Sequence, residues 1–413
     1  MTTLNSTPMA NRTHIAIFGR RNAGKSTLIN ALTNQQLAVV SEVAGTTTDP
    51  VFKAMEFLPI GPVVMVDTAG FDDEGALGGL RVEKTREVLR KTDLAILVLS
   101  AEDGVTPHEA AFAAELKEKG VAAVAAVNKA DRTALSPEAV TAIGKQLGIP
   151  AVAVSAEART GIEELKELIA HNVKYDDSQL RVVGDLIRPG DFVVLVTPID
   201  KAAPKGRLIL PQQQTIRDIL ESDAVAIVTK EHELRETLAN LGRKPALVVT
   251  DSQVFNKVAA DVPKDIPLTG FSILFARMKG ELEEMIRGLK AIEGLKPGSR
   301  VLIVEGCTHH RQSDDIGTVK IPRWIRQMTG GEVQFEWASG AHFPKELDRF
   351  DAIVHCGACM LNKPEMRYRM NYARERGIPM TNYGMLIAHV QGILERAIAP
   401  FPSARMAWEA LED

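Results

Sequence analysis

The sequence has few cysteines, few aromatic residues and no large excess of charge of either sign. Lysine plus arginine number 49 against 53 aspartates plus glutamates, and the formal net charge is -4. Such a balance supplies no field that would gather a polyanion, so a basic nucleic-acid-binding protein is disfavoured. Aromatic residues make up only 5% of the chain.

Long apolar runs are also absent. The first thirteen residues, MTTLNSTPMANRT, contain no apolar run of signal-peptide length, and no stretch of 18 uninterrupted apolar residues follows. We therefore expect a cytoplasmic protein that does not enter a membrane. Hydrophobic residues at 45% and charged residues at 25% are typical of globular proteins, and the length of 413 residues predicts two or three domains.

The three cysteines are an odd number for a disulfide framework. Cys307, Cys356 and Cys359 all lie toward the C-terminal end of the chain. Clustered cysteines in a protein expected in the cytoplasm indicate metal binding rather than disulfide bonding.

Short apolar runs predict three α/β regions. In residues 1–176, the runs HIAIFG, VVMVDT, LAILVLS, VAAVAAVN and PAVAVSA alternate with stretches of helical period, which indicates a parallel sheet wound by helices. A polar segment near residue 177 suggests a linker. Residues 177–270 alternate again and predict a small assembly domain. Residues 271–413 predict a third α/β domain, which opens with one amphipathic helix, ILFARMKGELEEMIRGLK.

A phosphate-binding loop lies between the first predicted strand and helix. The segment from Gly19 to Ser26 fits G-x-x-x-x-G-K-[ST]. Its glycines allow backbone N–H groups to surround a phosphate, Lys25 adds positive charge, and the Ser26 hydroxyl can coordinate magnesium. The candidate nucleotide-binding residues here are Gly19, Asn22, Ala23, Gly24, Lys25, Ser26 and Thr27.

Three further motifs, each after a predicted strand, complete a guanine-nucleotide site. Asp67 of DTAG can hold magnesium through water, and the N–H of Gly70 can sense the γ-phosphate. The carboxylate of Asp131, in NKAD, can accept hydrogen bonds from the N1–H and the exocyclic amine of guanine. Adenine offers neither donor in this arrangement, so a bound adenine would leave the covered carboxylate unpaired. The guanine-site candidates are Asn128, Lys129, Asp131, Ser155 and Ala156, the last pair for a backbone N–H to guanine O6.

A threonine-rich segment between the first two motifs predicts the first switch. In Gly45–Asp49 one threonine is expected to close over magnesium and the γ-phosphate, and Thr47 is the choice among three. The sequence therefore predicts a magnesium-dependent GTPase. Its magnesium ligands are Ser26, Thr47 and Asp67, and its catalytic residues are Lys25, Thr47, Asp67 and Gly70.

The order of these motifs resembles the translation-factor-related GTPases, most closely the Era and MnmE branch, and the likeness covers only the first domain. It implies that Asn22 of the phosphate loop helps bind a potassium ion that stands in for an arginine finger. Where many GTPases place a water-orienting glutamine after DTAG, this chain has Phe71, so water must be positioned by another group.

The cysteines form the pattern C-x-H, a 45-residue gap, then H-C-x-x-C. Two thiolates of a C-x-x-C at a strand end can bind one metal centre, and Cys307 can reach it from a neighbouring strand end. The fourth position could be filled by solvent, a partner's group, or one of the side chains His309, His310, His355 and Glu305. Structural zinc and a redox dithiol of Cys356 and Cys359 remain alternatives, because soft thiolates suit several centres.

Over essentially its whole length, the chain resembles the HydF family, the GTPases that mature FeFe-hydrogenase. The combination of this GTPase domain with a small α/β domain and a C-terminal C-x-H and H-C-x-x-C carries the resemblance. It implies GTP-binding, dimerisation and iron-sulfur domains, a homodimer, and a 4Fe-4S cluster on Cys307, Cys356 and Cys359 with His309 or His355 near the exchangeable site. It also implies a scaffold that carries a diiron precursor, assembled with two radical-SAM maturases, to apo FeFe-hydrogenase.

Two other functions are alternatives to this interpretation. One is a ribosome- or tRNA-associated GTPase with a zinc-stabilised RNA-binding tail, which the mildly acidic charge disfavours. The other is a GTP-regulated redox protein that uses the C-x-x-C as a dithiol, in which Cys307 would have no role.

Overall fold

The computed structural model describes residues 7, 9–33, 50–71, 76–173, 181–199, 208–306, 315–340 and 342–412, without the side chains of 76–82 and 412. These residues form two compact units, Met1–Tyr175 and Asp176–Asp413. Within the described ranges, no helix is long and apolar enough to cross a membrane.

The first unit is a six-stranded sheet with the order β2-β3-β1-β4-β5-β6, in which only β2 is antiparallel to its neighbour. Its strands are β1 (Thr13–Gly19), β2 (Val51–Phe57), β3 (Gly61–Asp67), β4 (Leu94–Ser100), β5 (Ala122–Asn128) and β6 (Ala151–Ala153). Its helices are α1 (Lys25–Thr33), α2 (Ala76–Arg90), α3 (Pro107–Glu118), α4 (Pro137–Leu147) and α5 (Ile162–Asn172).

Continuous apolar strands place this sheet between two layers of helices. Every residue of β4, LAILVLS, is buried, as expected for a central parallel strand covered on both faces. Alternate strand residues enter two hydrophobic clusters on opposite faces of the sheet, for example Ile15 in one and Ala16 in the other. The predicted doubly covered parallel sheet is confirmed.

The second unit contains two four-stranded parallel sheets with the same topology. The first has the order β10-β9-β7-β8 and the second the order β12-β11-β13-β14. The strands are β7 (Phe192–Val196), β8 (Val225–Thr229), β9 (Leu247–Thr250), β10 (Leu268–Gly270), β11 (Arg300–Glu305), β12 (Gln334–Ser339), β13 (Ala352–His355) and β14 (Met380–Asn382).

Helices cover both sheets of the second unit. They are α6 (Leu210–Glu221), α7 (Leu234–Asn240), α8 (Phe255–Asp261), α9 (Phe271–Lys279), α10 (Leu282–Glu293), α11 (Ile321–Thr329), α12 (Lys363–Arg374), α13 (Tyr383–Val390), α14 (Leu394–Ile398) and α15 (Pro402–Glu412). A π-helical turn, Ile316–Lys320, precedes α11. A single hydrophobic cluster extends from Val182 to Trp408 through both sheets. The two smaller α/β domains expected after the GTPase domain are thus present, and they share one core.

The prediction of one amphipathic helix over ILFARMKGELEEMIRGLK is wrong. Two helices, α9 and α10, replace it, and they are separated at Gly280, whose backbone is extended with φ -133° and ψ -157°. A Cβ at Gly280 would lie 2.6 Å from Met370 Sδ and 2.9 Å from Met285 Cε, so a larger residue here would require these two methionine side chains to move. The break makes Lys279 the last residue of α9.

Candidate nucleotide and metal sites

Two glycines shape the phosphate loop between β1 and α1. A Cβ at Gly19 would lie 2.3 Å from the backbone oxygen of Val98. Gly24 has φ +90°, and a Cβ there would lie 2.2 Å from Asn128 Nδ2. Both positions therefore require glycine, because the loop passes against neighbouring strand ends without room for a side chain.

Lys25 and Ser26 begin α1 with their polar groups turned toward this loop. The Lys25 ammonium, largely buried, donates to the carbonyl oxygens of Gly19 at 2.9 Å and Arg20 at 2.8 Å. The Ser26 hydroxyl donates to Asp67 Oδ2 at 2.8 Å. The predicted phosphate-binding cation and the predicted magnesium-binding oxygens are thus brought together at the end of the sheet.

Asp67 ends β3 with a buried carboxylate. Burial raises its pKa, while the Ser26 hydroxyl and the Lys25 ammonium lower it. Its Oδ1 is buried and has no hydrogen-bond partner among the described side chains and backbone. A hard, partly unsatisfied carboxylate beside a hydroxyl is an oxygen donor set that fits magnesium. Ser26 and Asp67 would hold the ion here, and Thr47 lies outside the described residues.

Asn128 joins the phosphate loop to the guanine-site loops. Its Nδ2 donates to the carbonyl of Ala23 at 3.0 Å, and its Oδ1 accepts the N–H of Ala156 at 3.0 Å. Ser155 Oγ donates to Asp131 Oδ1 at 2.5 Å, and this hydrogen bond is the main cause that lowers the pKa of Asp131. The predicted guanine-binding residues therefore meet at one place, with Asp131 exposed and ionised.

Lys129 and Asn22 both adopt positive φ, at 65° and 60° respectively. This left-handed conformation is uncommon for residues other than glycine, although asparagine adopts it several times more often than most. Asn22 is exposed on the phosphate loop.

Arg20, also in the phosphate loop, forms two ion pairs that the sequence did not predict. Its guanidinium contacts Glu109 Oε1 and Asp103 Oδ2, both at 2.7 Å. Glu109 is fully buried in the first turn of α3, where its other oxygen accepts the N–H of Thr106 at 3.1 Å. The Thr106–Glu109 spacing is a capping-box signal that a reader of the sequence could have found, but its pairing with Arg20 depends on the fold.

Cys356 and Cys359 follow β13, at the carboxyl end of the sheet β12-β11-β13-β14 in the second unit. In this sheet β11 and β13 are neighbours, and the chain leaves them in opposite directions toward β12 and β14. Such a switch point is where open α/β sheets bind ligands. Cys307 follows β11 two residues after its last residue, Glu305, and lies with His309 outside the described residues.

The Cys356 sulfur accepts two backbone hydrogen bonds. The donors are Gly306 N at 3.0 Å and Ala358 N at 3.4 Å. Burial raises the pKa of Cys356 to about 11, and the two N–H groups oppose this rise. Because Gly306 directly precedes Cys307 in the sequence, its contact with Cys356 places the last described residue before Cys307 at the C-x-x-C loop.

Glu305 and His355, the two fourth-ligand candidates that the structure describes, have different surroundings. His355 is fully buried, with Nδ1 2.9 Å from the Cys356 carbonyl and Nε2 3.3 Å from the Arg369 guanidinium. Burial and Arg369 lower its pKa to about 3, so the ring is neutral. Both ring nitrogens thus have partners within the protein. Glu305 Oε1 accepts from the Tyr383 hydroxyl at 3.4 Å.

In the described part of the chain, no group of three or more histidine, cysteine, aspartate or glutamate side chains is arranged to hold a metal ion. Cys356 and Cys359, at a sheet switch point, are thiols of the kind that bind iron-sulfur clusters, and the Cys356 sulfur accepts two N–H groups. A cluster site would also need Cys307, which is outside the described residues.

The loop after Cys356 contacts a buried lysine that the sequence analysis did not single out. Lys279 is 2% exposed and donates to the carbonyls of Ala358, Cys359 and Leu361. Burial lowers its pKa to about 8, and Cys359 and Cys356 oppose this change.

Family models match almost all of the second unit. A model described as the hydrogen maturase F dimerization domain matches residues 182–280, and one described as the hydrogen maturase F tetramerization domain matches residues 283–400. Together they cover more than half of the chain. The chain belongs to the hydrogen maturase F family. Membership confirms the resemblance drawn from the motifs, and the two domain names support oligomerisation.

The first unit of this family member matches a model described as 50S ribosome-binding GTPase over residues 14–129. The tRNA modification GTPase MnmE of Heliobacterium modesticaldum is 39% identical over 166 residues, which are 39% of this chain and 34% of that protein. GTPase Der of Nitratiruptor sp. is 32% identical over 168 residues, 39% of this chain and 36% of that protein. The chain spans about a third of the length of these relatives.

Solved structures of GTPases are also similar to this chain. Era of Aquifex aeolicus bound to GDP.AlF4- is 19% identical and covers 55% of this chain and 98% of that one, with a TM-score of 0.37. The FeoB G-domain of Methanococcus jannaschii is 27% identical, and the match covers 40% of this chain and 98% of that one, with a TM-score of 0.31. The strand order, the motifs and the family model together identify the first unit as a P-loop GTPase domain, which confirms the predicted GTPase fold.

Proposed function

We propose that this protein is a cytoplasmic GTP-hydrolysing scaffold that binds a 4Fe-4S cluster and carries a diiron precursor to apo FeFe-hydrogenase. The observation that supports the proposal is the hydrogen bond from Gly306 N to Cys356 Sγ, because it places the residue directly before Cys307 at the C-x-x-C loop, beside a sheet switch point. Family membership supplies the biological setting, in which two radical-SAM maturases are the other partners. Homodimerisation through residues 177–270 is part of the same proposal.

The proposed cluster ligands are Cys307, Cys356 and Cys359. Among the remaining candidates, His355 has both ring nitrogens in hydrogen bonds, which leaves Glu305, His309, His310, solvent or a partner's group for the fourth position. A cluster with three thiolates and one exchangeable position supplies a place where an iron-containing cargo can bind and leave. The chain's own part is to hold the thiols at one sheet end and to donate N–H groups to sulfur.

GTP hydrolysis is proposed to bias the arrangement of domains or the affinity for a partner. A nucleotide shifts such an equilibrium only by its different affinity for the two states. The residues proposed for the hydrolysis site are Lys25, Ser26, Asp67 and Gly70 of the described chain, with Thr47 closing over magnesium. Guanine is proposed to contact Asn128, Lys129, Asp131, Ser155 and Ala156.

Potassium activation through Asn22 is a separate part of the proposal. The exposed amide on the phosphate loop is placed to help coordinate a monovalent cation near the phosphates. The GTPase rate in potassium chloride is expected to exceed that in sodium chloride, and Asn22→Ala is expected to remove the difference. Equal rates in the two salts for the wild-type protein would exclude potassium activation.

The deciding experiment is iron and zinc analysis with electron paramagnetic resonance of anaerobically reconstituted, reduced protein. We expect about four irons per chain and a reduced-cluster signal. Cys356→Ala should lose this signal, whereas Lys25→Ala should keep it and lose GTP hydrolysis. Stoichiometric zinc without a paramagnetic signal would overturn the scaffold and favour the RNA-associated GTPase. Loss of cluster binding in Lys25→Ala would contradict independent GTP and cluster sites.

A further inference from the structure

The Lys279 ammonium group donates three hydrogen bonds to the loop that contains the C-x-x-C motif. Its Nζ lies 2.8 Å from the carbonyl oxygen of Ala358, 2.9 Å from that of Cys359 and 2.6 Å from that of Leu361. An ammonium has three N–H donors, whereas a neutral amine has two, so three acceptors at these distances require the protonated side chain. A full positive charge is therefore held beside the C-x-x-C loop, in a side chain that is almost completely buried.

The loop that Lys279 contacts has an uncommon backbone conformation. Ala358, between the two cysteines, has φ +52°, which only a few per cent of residues other than glycine adopt. In this conformation its N–H points to Cys356 Sγ at 3.4 Å while its carbonyl accepts from Lys279 at 2.8 Å. The lysine thus holds three carbonyl groups of the loop whose Ala358 N–H contacts the sulfur.

The charge of Lys279 also bears on the cysteines. Thiolates that bind a metal bring negative charge into a buried site, and a fixed ammonium next to them offsets its cost. The same charge favours the reduced, more negative form of a cluster, because reduction potentials depend on nearby charge and on hydrogen bonds to sulfur.

We propose that Lys279 is the positioning residue of the C-x-x-C loop, which fixes the Ala358 N–H on Cys356 and raises the reduction potential of the cluster bound there. The loop-holding part follows from contacts in the protein alone. The effect on the potential rests on the proposed function, since it requires a bound cluster.

The position of Lys279 gives this role a consequence for the two matched domains. Lys279 lies within residues 182–280, matched by the dimerization-domain model, whereas Cys356 and Cys359 lie within residues 283–400, matched by the tetramerization-domain model. The metal-binding loop of one domain is therefore completed by a side chain of the other.

The loop-holding part is tested on the metal-free, full-length protein by alkylation. Iodoacetamide modification of Cys356 and Cys359 is followed by peptide mass spectrometry in wild type, Lys279→Met, Lys279→Gln and Lys279→Arg. Lys264→Met, at an exposed lysine, is the matched control. We expect Lys279→Met to alkylate at Cys356 at least about tenfold faster than wild type, because the loop opens more often. The control should match wild type.

An alkylation rate in Lys279→Met within about twofold of wild type would overturn the loop-holding role. Thermal unfolding and the GTPase rate show whether each variant has folded. If Lys279→Met does not fold, Lys279→Arg and Lys279→Gln decide: Arg, which keeps charge and donors, should react more slowly than Gln. Equal rates for these two variants and wild type would contradict the proposal.

The electrostatic part is tested by a redox titration of the reconstituted cluster, followed by electron paramagnetic resonance. Lys279→Gln, which keeps N–H donors but loses the charge, is expected to have a more negative midpoint potential than wild type, Lys279→Arg and Lys264→Met. Equal midpoint potentials in all four proteins would overturn the electrostatic role of Lys279. Absence of iron from the reconstituted wild type would overturn the proposed function instead, and the alkylation rates would still decide the role of Lys279.

Discussion

Phe71, the first residue after the DTAG motif, stacks on Phe112 of α3 with ring centroids 4.9 Å apart and an angle of 14° between the ring planes. Phe112 also contacts Phe18 of β1, at 5.0 Å between centroids. The aromatic ring that replaces the water-orienting glutamine of many GTPases therefore packs against the core beneath α3. The inference that this side chain takes no part in orienting water agrees with its packing.

The Phe71→Gln variant tests this packing role. Restoring glutamine should not raise the GTPase rate, because the side chain at this position packs against Phe112. It should lower the unfolding free energy of the GTPase unit by about 1–2 kcal/mol, since a stacked, half-buried ring is lost. Denaturant unfolding and single-turnover hydrolysis measure the two effects. A faster variant would show that the residue at position 71 reaches the attacking water.

Arg20 is expected to stabilise the GTPase unit through Glu109. In Arg20→Ala, the fully buried carboxylate of Glu109 loses its guanidinium, and a broken buried pair costs about 3 kcal/mol. The double variant Arg20→Ala, Glu109→Gln should recover part of this loss because no unpaired charge remains. Chemical denaturation checks both, with Arg132→Ala at an exposed pair as the control. A loss no larger than in the control would exclude the stabilising role.

Asp131→Asn should change the base that the protein prefers. The carboxylate can accept two guanine N–H groups, whereas an amide would place an N–H2 against the guanine amine. We expect GTP affinity to fall at least about a hundredfold and the affinity for xanthosine triphosphate to rise. Isothermal titration with both nucleotides measures the exchange. Glu157→Gln, at an exposed neighbour, is the control, and unchanged GTP affinity in Asp131→Asn would remove Asp131 from the guanine site.

Asp93, directly before β4, predicts a pH dependence of stability. Burial raises its pKa to about 6, above the unfolded value of 3.8, so the folded state binds the extra proton between these values. Its charged form therefore costs stability above about pH 6 and nothing below about pH 4.

Asp93 Oδ2 accepts the backbone N–H of His14 at 2.8 Å. Asp93→Asn should keep an oxygen that can accept this hydrogen bond and should remove the cost of the charge. Because the side chain is still 34% exposed, we expect a gain of only about 1 kcal/mol at pH 8 and none at pH 4. Urea unfolding at the two pH values checks it. A gain of equal size at both would rule out the carboxylate charge as its cause.

Local sequence signals were sufficient for most elements of the fold. The apolar runs of β1, β3, β4 and β5 were recognised because these strands are buried on both faces. β2 was missed, since this antiparallel edge strand is partly exposed and carries charged residues in its sequence VFKAMEF. The helix break at Gly280 was also missed, because no proline or turn motif marks it in the sequence.

The candidate sites divide in the same way. Motif spacing located the phosphate loop, the guanine-binding segments and the C-x-x-C, since each chemistry needs those residues close together in sequence. Motif spacing could not show that Arg20 pairs with Glu109. It also could not show that Arg369 contacts the His355 ring or that Lys279 contacts the cysteine loop. These partners lie 14 to 89 residues apart, and only tertiary packing brings them together.

The continuous core from Val182 to Trp408 limits how evolution or an engineer can recombine this chain. The two hydrogen maturase F domains cannot be exchanged as independent cassettes, because a chimera joined near residue 281 would have to match apolar surfaces contributed by both partners. Among the described residues, the GTPase unit has two hydrophobic clusters of its own. Lineages that replace one of the two C-terminal domains are therefore expected to replace the other with it.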